Sequence, residues 1–375
     1  MLEEARSIGE LVKTGWKPRR TLVYCSWDGE EPGLIGSTEW AEEHASELQK
    51  KTVVYINSDG TGRGFLSAGG SHALEPMMDQ VAKTVIDPET KVSVFERGKA
   101  HAAINARTTK AKKDALEKRN LKLEALGSGS DFSAFLQHLG IPSLDLGYGG
   151  ENNGGEYHSI YDSYDNYVRF KDPGFAYGVT LSQTAGRVAL RMADAEVLPF
   201  DFRHLYTTIA EYDKEVMDLQ QETKEATETE NLLIKSNDYL LAADPTKHNV
   251  VPVASNIVPY IDFSPLQNAL SNLKMSADSI SAVEANAIKN SSDHDRLNKV
   301  LYQAEQQLLT TGLPRREWYQ HVLYAPGFYT GYGVKTLPGI REAIEQRNFK
   351  EAQDQINVAA AAVNRLANYL VKGAM

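Results

Sequence analysis

The stretch that most constrains this chain is Ser26-Trp27-Asp28-Gly29-Glu30-Glu31-Pro32-Gly33-Leu34-Ile35-Gly36-Ser37. The apolar run Leu22-Val23-Tyr24-Cys25 leads into it with the β-branched and aromatic content of a buried strand. Ser37-Thr38-Glu39-Trp40-Ala41-Glu42-Glu43 leads out with residues that favour helix. Two adjacent carboxylates are therefore expected where a strand ends and a helix begins. In open α/β sheets that edge is where ligands bind. Alone, Glu30 and Glu31 would read as a solvated turn; residues further along decide otherwise.

At 375 residues the chain has room for two domains, each with a full core. The net charge of −10 argues against a nucleic-acid partner, which would ask for a basic face. No run of about 18 apolar residues occurs, so no membrane-spanning helix is expected. The single cysteine, Cys25, cannot form an internal disulfide and leaves the compartment open. Met1 runs straight into an amphipathic helix, Leu2 to Val12, with no signal-peptide pattern and no lead-in strand, which reads as an internal start.

Residues 1 to about 197 alternate helix and strand. Helices are expected over Leu2–Lys13, Ser37–Lys50, Ala73–Ile86, Asp131–Leu139 and Phe175–Arg191, and strands over Thr21–Ser26, Val53–Asn57 and Pro142–Leu146. The pattern predicts an α/β fold with a mostly parallel sheet and helices on both faces. The basic residues between 98 and 122 read as an exposed insertion, and Gly147–Gly155 as a loop leading to Tyr157-His158-Ser159. From 198 onward predicted strands vanish. Four apolar stripes appear instead: Ile209/Tyr212/Val216/Leu219, Leu266/Leu270/Leu273/Ile280, Leu297/Leu301/Ala304/Leu308, and Ile356/Ala359/Val363/Leu366/Leu370. Such stripes are what an all-α four-helix bundle needs. Two loops interrupt it, Asp244–Pro265 and Gly312–Pro338.

Glu30/Glu31, Asp59 and His158 fall at strand ends or in loops on one predicted edge. This set suits zinc, which takes histidine nitrogen and carboxylate oxygen and keeps a position for water at catalytic sites. A spare carboxylate beside the ligands can accept a proton from that water and pass it to a leaving amine. His44 and His138 read as surface residues on helices. Gly60-Thr61-Gly62-Arg63-Gly64 lacks the glycine offsets and following helix of a dinucleotide loop. Gly127-Ser128-Gly129-Ser130-Asp131 lacks nucleophile-elbow spacing.

With these residues in view, the chain resembles the glutamate carboxypeptidase II family of zinc metallopeptidases, which also includes the non-peptidase transferrin receptor. The likeness runs over essentially the whole chain. It is carried most specifically by Ser-Trp-Asp-x-Glu-Glu-x-Gly-Leu-x-Gly-Ser-Thr-Glu-Trp-Ala from Ser26 and by Tyr-His-Ser-x-Tyr-Asp from Tyr157. The resemblance implies Glu30 as general base, and Glu31 and His158 as ligands of one zinc. It implies Asp59 as a ligand of a second zinc and Tyr157 as an oxyanion stabiliser. Ser130 and Tyr332 match substrate-binding positions, and Glu39 and Glu42 match carboxylates of a structural calcium site. It also implies a homodimer through a helical domain at residues 198–375, following a peptidase part at residues 1–197.

The likeness is incomplete in ways that matter. The family's site also takes a histidine and a metal-bridging aspartate from a region that would precede Met1. The chain is therefore expected to be an incomplete form holding three of the five metal ligands. Asp145 and Gly147 stand where glutamate-selective members carry arginines, Gly331 replaces a lysine, and Ser130 replaces an asparagine. Without those cations an acidic terminal residue has no bidentate partner, so glutamate specificity is not expected. The reading is a zinc-dependent, carboxypeptidase-like exopeptidase acting on peptides. The rival is a non-catalytic, receptor- or scaffold-like dimer. The family is mostly extracytoplasmic, which implies a secreted, periplasmic or cell-surface parent and leaves this chain's own location open.

Overall fold

The computed structural model describes residues 1–151, 154–290 and 294–374. Asn152 and Asn153 of the expected Gly147–Gly155 loop lie outside them. The first part is mixed α/β and the rest is helical, as the patterning predicts. Helix Leu2–Lys13 forms as expected, whereas the single helix expected over Ser37–Lys50 is two, Ile35–Glu43 and Ala45–Lys51. The break is at His44, whose ring stacks on Trp40 with its Nδ1 2.9 Å from the Trp40 carbonyl.

The sheet of the first part has three strands: β1 (Tyr55–Asn57), β2 (Gly64–Gly70) and β3 (Ser143–Gly150), in the order β1-β3-β2. β1 runs parallel to β3, pairing Tyr55 with Ser143 and Asn57 with Asp145. β2 runs antiparallel to β3, pairing Gly64 with Gly150 and Gly70 with Leu144. The sheet is thus mixed rather than mostly parallel. β2 is hard to find by pattern because Gly-Phe-Leu-Ser-Ala-Gly-Gly has glycine at both ends and little β-branching. β3 extends past the expected Leu146 for a related reason: its glycines read as loop but pair with β2, Gly147 with Ser67, Gly149 with Phe65 and Gly150 with Gly64.

The largest correction falls on Thr21–Ser26. It is not a strand: the segment has no hydrogen-bonded neighbour in the sheet, and Val23 is 72% exposed. Cys25 is half-buried rather than enclosed. Extended backbone becomes a strand only when a partner takes up its N–H and C=O groups. Asp131–Leu139 also differs, forming a π-helical turn over Ala134–His138. The basic region between 98 and 122 is largely two helices, Val94–Asn105 and Thr109–Glu117, and the second buries none of its side chains.

The helical half follows the stripes closely. Its principal helices are Phe202–Lys235, Ser264–Lys289, Asp295–Gln303 and Phe349–Ala374. Leu266, Leu273 and Ile280 are fully buried, as are Ile356, Val363, Leu366 and Leu370. Each such side chain contributes about 1.5–3 kcal/mol on leaving water. Exposed pairs such as Lys214–Asp218 contribute about 0–1 kcal/mol, so the apolar seams hold the bundle. The third stripe bends at Ala304, where a 3-10 turn, Glu305–Leu308, takes over. The loop after it contains a hairpin the pattern did not signal, β4 (Tyr324–Pro326) with β5 (Val334–Thr336). One apolar core joins the halves, running from Ala68 and Leu144 beside the sheet to Leu205, Leu273 and Leu366 in the bundle.

One bundle residue is placed against its chemistry. Glu284 is buried with its Oε1 unpaired. Burial first, then the Asp201 charge, pushes its carboxyl up to about 8, opposed by Arg203. The unfolded chain ionises this group near 4.5, the folded chain only near 8. Stability from the protonated carboxyl is therefore full below about 4.5 and is lost as pH rises towards 8. Glu284→Gln is expected to raise stability at pH 7–8 by about 1–3 kcal/mol and to have little effect at pH 4–5. Chemical denaturation at the two pH values checks this; a pH-independent difference would rule out the ionisation argument.

Candidate active site

The two carboxylates sit on a tight turn. Glu30 carbonyl oxygen accepts from the N–H groups of Gly33 and Leu34, at 3.0 and 2.7 Å, and Gly29 carbonyl accepts from Ile35 at 2.9 Å. Leu34 has φ of 58°, left-handed backbone that a branched side chain rarely adopts. Gly36 lets the helix start press on the turn: a Cβ there would lie 2.3 Å from the Asp28 carbonyl oxygen. The turn thus lifts Glu30 and Glu31 to the end of helix Ile35–Glu43, as expected, although Ile35 and not Ser37 opens that helix.

His158 reaches this turn from far along the chain. Its Nε2 lies 3.1 Å from Glu31 Oε2. Two donors of one tetrahedral zinc, each at about 2.0–2.2 Å, stand roughly 3.3 Å apart. The pair therefore fits a shared ion in chemistry and in spacing. His158 has φ of 56°, a second strained residue at the same place. The Tyr157 ring stacks on its imidazole at 3.8 Å between centroids.

Asp59 stands two residues beyond β1, with its carboxylate close enough to Glu30 and Asp131 for their charges to interact. Burial, then Asp131, Glu31 and Asp59, raise the Glu30 carboxyl above its ordinary value. Burial raises Asp131 as well, while the Ser37 hydroxyl, donating to its Oδ1 at 2.5 Å, opposes the rise. Asp145, half-buried on β3, is pushed up to about 6 by burial, opposed by a hydrogen bond from Asn57. Carboxylates crowd this site, and among its charged neighbours His158 is the one that lowers Glu30.

The helical half supplies one wall. Tyr332 carbonyl accepts from Ser128 N–H at 3.3 Å, and the Tyr332 phenol lies close enough to the Tyr157 phenol to shift it. The Tyr332 phenol, followed by burial, pushes the Tyr157 phenol up to about 12, so it stays neutral at physiological pH. The fit depends on glycine: a Cβ on Gly127 would lie 2.2 Å from Tyr332 carbonyl oxygen, and one on Gly129, whose φ is 96°, 2.5 Å from the Tyr332 ring.

The structure brings together Glu30, Glu31, Asp59, Ser130, Tyr157, His158 and Tyr332. Ser130 is buried, and its hydroxyl is engaged with Asp59 and Asn57. Glu39 and Glu42 are exposed on helix Ile35–Glu43, and Glu42 Oε1 accepts from the Trp318 indole at 2.6 Å. Among the described residues no three His, Cys, Asp or Glu side chains close around one ion. Of the residues expected to bind zinc, Glu31 and His158 are thus a close pair and Asp59 stands apart from it, and among the described residues Glu39 and Glu42 gather no third acidic partner. Sequence reading did not single out Asp131 or Asn57 as site residues. Asp131 follows the glycine loop and Asn57 ends a β-branched run, but neither pattern marks a site unaided.

Residues 1–171 match the family model for peptidase family M28, and residues 261–371 match that for the transferrin receptor-like dimerisation domain. The chain is 33% identical to a protein named "Probable glutamate carboxypeptidase LAMP1" from Arabidopsis thaliana, over 100% of this chain and 48% of that protein. It is 31% identical to a "Probable glutamate carboxypeptidase" of Arthroderma benhamiae, over 99% and 45%. It is 30% identical to "Aminopeptidase NAALADL1" of Mus musculus, over 99% and 47%. The chain spans about half the length of the curated relatives it matches.

Gly127→Ala is expected to push the Tyr332 loop off the site and to lower stability by about 1–3 kcal/mol through overpacking. Thermal melting, with the crystal structure of the variant, checks both; an undisplaced Tyr332 would count against the contact. By its two family matches and these likenesses over the whole of this chain, it belongs to the glutamate carboxypeptidase and transferrin receptor-like family, with a part that matches peptidase family M28 followed by a part that matches the dimerisation domain.

Proposed function

We propose that this protein is a zinc-dependent exopeptidase in which Glu30 is the general base. The 3.1 Å approach of Glu31 to His158, with Glu30 beside them, is the observation that carries the reading. Glu31 and His158 would hold one zinc, and Asp59 would serve a second position. Zinc bound there would acidify water and polarise a carbonyl. Glu30 takes the proton from the attacking water and returns it to the leaving amine. Its raised pKa suits both transfers, because a base must also give the proton back. The Tyr157 hydroxyl donates to the oxyanion that forms at the scissile carbonyl. Tyr332 closes the substrate side from the helical half. Relatives carry both carboxypeptidase and aminopeptidase names, so the reading is of an exopeptidase, without a commitment to one end of the peptide.

The helical half, residues 198–375, is proposed to form the homodimer. Support comes from the dimerisation-domain match and from large apolar side chains left in solvent there, such as Leu241, Val253, Ile257 and Tyr260. A membrane-spanning role has no support: no helix among the described residues is long and apolar enough to cross a bilayer.

Elemental analysis of the purified protein is expected to find bound zinc. Glu30→Gln is expected to keep that zinc and to lower peptide turnover by about 10²-fold or more. Retained turnover would remove Glu30 as the base. A protein that binds no zinc and hydrolyses no peptide would favour the scaffold-like reading. Light scattering at micromolar concentration is expected to give the mass of a dimer, and a monodisperse monomer would overturn the interface.

A further inference from the structure

We propose that Asn57 and Ser130 are positioning residues for Asp59, the last links of a directed hydrogen-bond chain that starts at Trp27. Trp27 Nε1 donates to the Tyr55 hydroxyl at 3.1 Å. Tyr55 donates to Asn57 Oδ1 at 3.0 Å. Asn57 Nδ2 donates to Ser130 Oγ at 2.8 Å, and the Ser130 hydroxyl donates to Asp59 Oδ2. The direction is set at both ends, because an indole N–H can only donate and a carboxylate can only accept. Each hydroxyl between them has one proton, already committed in the same sense. The second proton of the Asn57 amide goes to Asp145 Oδ1 at 3.0 Å, which holds the amide against flipping.

Burial makes this chain more than surface decoration. Asn57 is 5% exposed and Ser130 4%, while Asp59 itself lies in solvent. Asp59 is also repelled by Glu30 and Asp131. An exposed carboxylate under that repulsion would turn outward unless one oxygen is tied. Ser130 ties Oδ2 and leaves Oδ1 for a ligand. Partners that orient a ligating carboxylate in this way govern metal affinity. Ser130 has no proton left for a substrate, so it acts through Asp59. This inference rests on the reading of Asp59 as a metal ligand.

The test titrates the full chain with Zn²⁺ by calorimetry and compares metal-free crystal structures. Ser130→Ala is expected to weaken zinc binding about 10–100-fold, and Ser130→Thr to restore it. Tyr55→Phe keeps the ring stacked on Phe135, at 3.9 Å, and cuts the chain one link further back. It is expected to give a smaller loss in the same direction, and it decides the matter if Ser130→Ala does not fold. In metal-free crystals of Ser130→Ala the Asp59 carboxylate is expected to leave its place. Parent-like zinc affinity in Ser130→Ala and Tyr55→Phe, or an Asp59 that does not move, would overturn the proposal. If the parent chain takes up no zinc, the metal reading fails by itself, and the position of Asp59 in the two crystals still decides whether Ser130 holds it.

Discussion

Leu266, Leu273 and Ile280 on one helix of the bundle and Ile356, Val363, Leu366 and Leu370 on the last are removed from water in a core continuous with the side chains beneath the small sheet. The site depends on that continuity. The loop carrying Tyr332 belongs to the helical half, yet its backbone is hydrogen-bonded to Ser128 and its side chain stands beside Tyr157. Neither contact is strong enough to hold two domains together. A single hydrogen bond contributes about 0.5–1.5 kcal/mol net, whereas each large side chain in the core contributes more. Apolar burial sets the relation of the halves, and the polar contacts report it.

Within that frame the site gathers like charges. Glu30, Asp59 and Asp131 interact with one another, and the first and last are raised by burial before any neighbour acts. Such crowding costs stability unless cations or hydrogen bonds offset it. The left-handed backbone at Leu34 and His158 adds to the cost at the same place. Strain and charge concentrated where side chains from distant parts of the chain converge are what a binding or catalytic site requires. A purely structural core would have no use for them.

Much of the bundle was legible because helical burial has a period. The stripes from Leu266 and Ile356 repeat at intervals that the core then uses, and side chains three or four apart share a face whatever lies opposite. The expected strand at Thr21–Ser26 went wrong for the complementary reason. Its composition suits a strand, but strand formation needs a neighbour, and composition says nothing about whether one is there. β2 and the β4–β5 hairpin were invisible because their glycines and prolines favour loops, while their partners across the sheet made them strands.

By itself the sequence determined that one part of the chain would be α/β and the other a helical bundle, and that Glu30 and Glu31 would stand at the start of a helix. It also marked His158 and Asp59 as donors of the right kind. Only the tertiary structure decided that His158 comes within 3.1 Å of Glu31, that Tyr332 reaches Tyr157, and that Ser130 is bound to Asp59 and not free in a pocket. The physical reason is range. Helix propensity, turns and amphipathic faces are fixed by neighbours within a few positions. A hydrogen bond between residues 71 positions apart leaves no periodic trace, and forms only where the packing of other side chains brings its ends together.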